Sequence, residues 1–191
     1  MIERRSPVGG RGRRQDPVGL GDTTRLAVDI IMEDEAWTAV FGLDEAISSA
    51  AEQAYARANV RLANQITADR ASVAVALLSD AGMRVLNSQF RHQDKPTNVL
   101  SFPAIEHRHA GAGRGVEDPR ALGDVALAYE TIDREARQEG IAVVDHVRHL
   151  VVHGILHLLG FDHESDTDAD RMEAMETRIL AELGVADPYA R

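Results

Sequence analysis

The sequence predicts an α+β fold, and three observations predict it. The short β-branched or alternating apolar runs come early, while the chain after about residue 130 is mostly helical in pattern. Its 191 residues are long enough to bury one sizeable core. Apolar content of 44% and charged content of 27% are ordinary for a globular domain.

Residues 1–22 are rich in Gly, Pro and Arg without periodicity and read as a flexible basic extension, leaving 23–191 as a single domain. Arg25–Ile31 reads as a first strand. Asp44 is a candidate N-cap for an alanine-rich helix from Glu45 to Ala58, with Ile47, Ala50, Ala51 and Ala54 on one side. Ser72–Leu78 is a strand ended by the turn Ser79-Asp-Ala-Gly82. A short helix over Leu86–Arg91 and a short strand over Val99–Phe102, closed by Pro103, follow. Residues 105–120, with His107, His109 and three glycines, form a loop. Leu122–Tyr129 alternates as a strand. Thr131 is a candidate N-cap of a helix ending at Gly140. A helix from Val144 to Leu159 has an apolar surface of Val147, Leu150, Val151, Ile155 and Leu158. The last helix, Asp166–Leu183, is capped by Asp166 or Thr167. Its stripe of Met172, Met175, Ile179 and Leu183 packs in the core rather than flooring a metal.

The chemistry concentrates in His153-Gly-Ile-Leu-His157-Leu-Leu-Gly160-Phe-Asp-His163. Histidines four apart on a helix share a face, their Cβ atoms roughly 5–6 Å apart, so both rings reach one cation. Gly160 has the residue type of a left-handed helix stop, after which the chain can return His163 as a third ligand. Three protein ligands leave the fourth tetrahedral position open, the layout of a catalytic zinc, one per chain. His149 lies eight residues from His157, about 12 Å along a helix at ~1.5 Å per residue, too far to share one ion with it. His149 and His146 are therefore expected to pack or hydrogen-bond nearby. In the zinc-peptidase pattern H-E-x-x-H the residue after the first histidine is the general base; here it is Gly154.

Charge and composition bound the function classes. There are no cysteines, hence no disulfide framework, thiolate metal site or redox nucleophile. No run of eighteen apolar residues exists, and the basic N-terminus is followed by no apolar signal core, so no membrane association and a cytoplasmic location are expected. A net charge of −10 alone speaks against nucleic acid. Yet residues 84–120 carry six basic against four acidic side chains, a locally basic segment able to grip phosphate.

The histidine segment, read with Leu86-Asn-Ser-Gln-Phe-Arg91, Asp94-Lys-Pro-Thr-Asn-Val-Leu-Ser-Phe-Pro103, Leu122-Gly-Asp-Val125 and Met172-Glu-Ala-Met-Glu176, resembles the bacterial YbeY family of rRNA-maturation endoribonucleases. The resemblance covers roughly residues 25–189. It implies a small mixed sheet of about four strands flanked by helices, with a zincin-like metal helix. It further implies a zinc-dependent endoribonuclease specific for single-stranded RNA. The expected roles are 16S rRNA 3′-end maturation and ribosome quality control, and the expected partners are rRNA, ribosomal subunits and assembly proteins. Asn98 stands where many members carry Asp, at the cost of one acidic group.

With that family in view, a zinc on His153, His157 and His163 would activate water or polarise a phosphoryl oxygen. Arg91, in the matching segment, is the candidate clamp for the charge that builds in phosphodiester cleavage, since a guanidinium can donate two parallel hydrogen bonds. Lys95, Asn98 and Ser101 are candidate substrate-binding groups. Asp162 either orients an imidazole or serves the turn after Gly160. Which group acts as base, and whether water or the RNA 2′-OH attacks, stays open. Two other classes compete: a zinc metallopeptidase-like hydrolase, which Gly154 opposes, and a non-catalytic ribosome-assembly factor stapled by zinc, which a three-ligand site opposes.

Overall fold

A computed structural model describes residues 25–62, 70–104, 120–163 and 165–190. In chain order these form β1 (Arg25–Met32), a 3-10 turn (Glu35–Ala39), α1 (Leu43–Leu62), β2 (Arg70–Leu78) and α2 (Asp80–Arg91). They continue as β3 (Val99–Pro103), β4 (Arg120–Ala128), α3 (Tyr129–Glu139), α4 (Val143–Leu158) and α5 (Asp166–Glu182). The expected extension over 1–22 and the loop histidines His107 and His109 lie outside the described residues.

The sheet is four-stranded and mixed, in the order β1-β2-β4-β3. β1, β2 and β4 run parallel, and β3 pairs antiparallel with β4. Alternation sorts its side chains onto two faces. Val73, Val75, Leu77, Val125 and Leu127 join the main core with α1, α4 and α5, while Leu100, Ala126 and Ala128 meet Met83 of α2 on the other face. α4 is apolar nearly all round, with Val147, Val151, Val152, Ile155 and Leu156 fully buried, as befits a helix enclosed between the sheet and neighbouring helices. Met172 and Met175 pack in the main core. No single helix among the described residues is long and apolar enough to cross a membrane.

Several boundaries differ from those expected. Ser79-Asp-Ala-Gly82 is not a separate turn but the start of α2, which therefore begins at Asp80 rather than Leu86. The Ser79 side chain accepts from the Gly82 N–H at 3.3 Å, the N-cap bond. Thr131 caps nothing; α3 starts two residues earlier, after Ala128, which offers no side-chain cap. A first-turn amide with no acceptor inside the helix is met from outside instead. The Thr131 N–H donates to Asp80 Oδ1 at 3.0 Å, and the Asp80 N–H donates to Glu130 Oε2 at 2.7 Å, so α2 and α3 satisfy each other's first turns. Ser165, not Asp166 or Thr167, caps α5. Trp37, in a segment for which nothing was expected, is wholly buried, and its indole N–H donates to the Leu78 carbonyl.

Candidate metal centre and its cleft

α4 ends as its sequence demands. The Gly160 N–H donates to the His157 carbonyl at 3.0 Å and the Phe161 N–H to the Leu156 carbonyl at 3.0 Å, the paired bonds of a Schellman stop. Gly160 sits at φ 87°, in the left-handed region that suits glycine. The chain reverses there, and Asp162 holds the return by accepting the His163 N–H at 2.5 Å. The three imidazoles consequently converge, their candidate ligand atoms all within 4.8 Å of one another, and together they could hold a metal ion.

Hydrogen bonds on the far side of two rings fix which nitrogen faces inward. His157 Nδ1 lies 3.1 Å from the Phe161 carbonyl, which can only accept, so that nitrogen carries the proton. His153 Nδ1 lies 2.8 Å from Glu176 Oε1. Glu176 is fully buried on α5, and burial alone would raise its pKa. Contacts from His149, His153 and the Tyr189 hydroxyl outweigh that and hold it down at about 2. An ionised Glu176 accepts, so His153 Nδ1 donates. In their neutral forms both rings then turn an Nε2 lone pair inward, and these two atoms stand only 3.0 Å apart. Two facing lone pairs repel unless a cation lies between them. Burial pushes the His157 pKa down, and neighbouring His153 and His163 push it further, which favours the neutral ring that ligates a metal. Tetrahedral zinc with ~2.0–2.1 Å bonds sets its nitrogens roughly 3.3 Å apart, close to the separation seen. The donor set fits a divalent ion of zinc's kind.

Gly154 is explained by packing. A Cβ there would lie 3.0 Å and 3.1 Å from the two γ-methyls of Val125 and 3.1 Å from Ser101 Oγ. Position 154 thus faces the sheet, and a glutamate side chain has no room there.

The cleft beside the histidines, about 820 Å³, is lined by Arg91, Lys95, Asn98, Ser101 and Asp162, so all the residues singled out from the sequence reach one place. Their geometries differ. Arg91 ends α2 and is exposed. The segment carrying Lys95 is pinned to α2 by a two-bond Arg84–Asp94 pair, both contacts 2.6 Å, and by Asn87 Nδ2 donating to the Lys95 carbonyl at 2.7 Å. Asn98 Nδ2 donates to Glu135 Oε2 at 3.0 Å. Ser101 Oγ donates to the Gly154 carbonyl at 3.3 Å, which ties β3 to the histidine helix. The carboxylate that orients an imidazole directly is Glu176; the Asp162 bond serves the turn.

His149 Nε2 stands 3.6 Å from Glu176 Oε2, and His146 Nε2 stands 2.9 Å from Glu135 Oε2, so both hydrogen-bond or pack beside the ligands as expected. The sequence assigns no role to Glu176, although it closes one of the motifs that carry the family resemblance, nor to Glu135, Arg134 or Tyr189. Only Glu176 left a signal: it falls beside Met175 on the buried face of α5, an acidic residue in an apolar stripe.

The family described as Endoribonuclease YbeY matches residues 35–184. An Endoribonuclease YbeY from Rhodopseudomonas palustris (strain HaA2) is 46% identical over 167 residues, covering 86% of this chain and 82% of that one. Another, from Bradyrhizobium sp. (strain BTAi1), is 54% identical over 143 residues, or 73% and 83% of the two chains. A solution structure of TM1509 from Thermotoga maritima is 25% identical and covers 86% of this chain and 99% of its own, with a TM-score of 0.47.

Proposed function

The chain belongs to the YbeY family of endoribonucleases, and from that premise we propose that it cleaves single-stranded ribosomal RNA with one zinc ion held by His153, His157 and His163. Maturation of the 16S rRNA 3′ end, late ribosome quality control, contact with ribosomal subunits and assembly proteins, and a cytoplasmic location belong to the same proposal. The observation that carries the metal is the convergence of three imidazoles, with the Nε2 atoms of His153 and His157 3.0 Å apart and the opposite nitrogen of each ring held by a hydrogen bond. Such outer partners raise ligand basicity and lock ring orientation.

When bound, zinc supplies Lewis acidity and a lowered pKa for water. The chain's own groups do the rest. Glu176 holds His153, and the Phe161 carbonyl holds His157. Arg91 and Lys95, joined by Arg134 of α3, give the cleft wall positive charge where a phosphodiester would lie. Arg91, exposed and at the end of a helix, is the candidate for the transferring phosphoryl group. A cleft of this size lies near the upper end of the ~300–1,000 Å³ usual for small ligands, room enough for a stretch of chain.

The peptidase alternative is opposed by position 154, which is glycine and faces Val125 rather than the cleft. The zinc-staple alternative is opposed by ligands that border an open cleft and number three among the described residues, where structural sites use four. The test is cleavage of precursor 16S rRNA with metal content measured in parallel, wild type against His157→Ala, with casein as a control substrate. Loss of metal and of RNA cleavage in a folded variant is expected. RNA cleavage indifferent to His157→Ala and to chelator would overturn the proposal, and casein degradation in place of RNA cleavage would favour the peptidase.

A further inference from the structure

Position 154 carries no base, yet hydrolysis or transesterification of a phosphodiester needs a proton acceptor for the attacking hydroxyl. Among the described residues two carboxylates line the cleft, Asp162 and Glu135. Asp162 is committed to the His163 N–H in the turn. Glu135, on α3, is held differently. Its Oε2 takes both of its hydrogen bonds, from Asn98 Nδ2 just before β3 at 3.0 Å and from His146 Nε2 on α4 at 2.9 Å. Oε1 has no hydrogen-bond partner among the described residues. Anchors from the loop before β3 and from α4 fix the carboxylate while one oxygen stays free to accept, and the side chain keeps 31% of its surface exposed.

His146 supports the same reading. It is almost wholly buried, which holds its ring in place against Glu135.

We propose that Glu135 is the proton-accepting catalytic residue of this cleft, with Asn98 and His146 as its positioning residues. The inference rests on the RNA-cleavage reading above. The attacking O–H, of water or of the RNA 2′-OH, gives its proton to Glu135 Oε1 as its oxygen bonds phosphorus. The opposite P–O bond breaks with its electron pair on the leaving oxygen, which takes a proton from solvent. The neighbouring charges are Arg134 on the same helix and Arg91 and Lys95 across the cleft.

The test is single-turnover cleavage of a single-stranded RNA, with metal content and thermal unfolding followed on the same samples. Glu135→Gln keeps the size and can still accept from Asn98 and His146, but it cannot take the proton. Its kcat should fall by more than about 100-fold with KM and bound zinc unchanged. A fall of less than about threefold would overturn the proposal. Should Glu135→Gln prove unstable, Glu135→Asp decides at matched folded fraction: restored cleavage over the Gln variant supports the base, and equal activity overturns it. Asn98→Ala should lower kcat without raising KM; the reverse pattern would make Asn98 a substrate contact instead. Wild type that fails to cleave RNA would bring down both readings, whereas wild-type cleavage matched by Glu135→Gln brings down only this one.

Discussion

Gly154→Ala tests whether the histidine helix is set by its contact with the sheet. The added methyl would meet both γ-methyls of Val125, at 3.0 Å and 3.1 Å, and Ser101 Oγ at 3.1 Å. Val125 is wholly buried in β4, and a β-branched side chain that presents two methyls to the same point cannot rotate both away. Relief therefore requires α4 to lift from the sheet. Overpacking of this kind costs about 1–3 kcal/mol. Displacing the Ser101 hydroxyl from the Gly154 carbonyl costs about 1 kcal/mol more, and the better helix propensity of alanine returns about 1 kcal/mol. The net is a loss of about 1–3 kcal/mol, or roughly 2–12 °C in Tm for a chain of this size. Because His153 and His157 flank the lifted point, zinc affinity should fall too. Urea unfolding of the metal-free protein and competition with a chromophoric chelator measure the two effects. A variant as stable as wild type with unchanged affinity would show that the 3.0 Å contact does not constrain the helix.

Glu176 sets a pH dependence. Its pKa of about 2 in the folded protein lies below the ordinary 4.5, so the group's contribution is complete above about pH 4.5 and is lost as pH falls towards 2. The difference amounts to about 3 kcal/mol, and urea titrations of metal-free Glu176→Gln across that window should lack this component. Tyr189→Phe removes the hydroxyl that donates to Glu176 and should weaken zinc binding by up to about tenfold in equilibrium dialysis. Unchanged binding would place Tyr189 outside the metal's support. Arg91→Ala should lower RNA cleavage about 100-fold or more while retaining zinc, read by metal analysis and kinetics on one preparation. Loss of zinc with the activity would show that Arg91 acts on the fold instead.

What could be read from the sequence follows the range of the interactions involved. The ligand set is local. A four-residue helical spacing and a glycine of left-handed conformation seven residues after His153 fix where three imidazoles meet, and the structure brings them to one point. Strands were visible as apolar runs, but their order β1-β2-β4-β3 was not, because pairing between β2 and β4 spans about fifty residues and leaves no periodic trace. The missed helix starts have a related cause. Ser79 and Ser165 each sit among other polar residues that cap or turn equally well, and the first turn of α3 is satisfied by Asp80 from another helix.

The same division runs through the site and decides its chemistry. Local sequence places the histidines, but residues brought in by tertiary contact determine their protonation. Glu176 arrives from α5 and requires the proton on His153 Nδ1; without it, the inward nitrogen could carry the proton and close the site to a cation. Gly154 shows the converse. As a motif it could mean only a missing base, whereas beside Val125 it is a packing requirement that keeps any carboxylate out of that position. A proton acceptor for this cleft must then come from an element other than the metal helix. Glu135, on α3 and braced by Asn98 just before β3 and by His146 of α4, meets that condition.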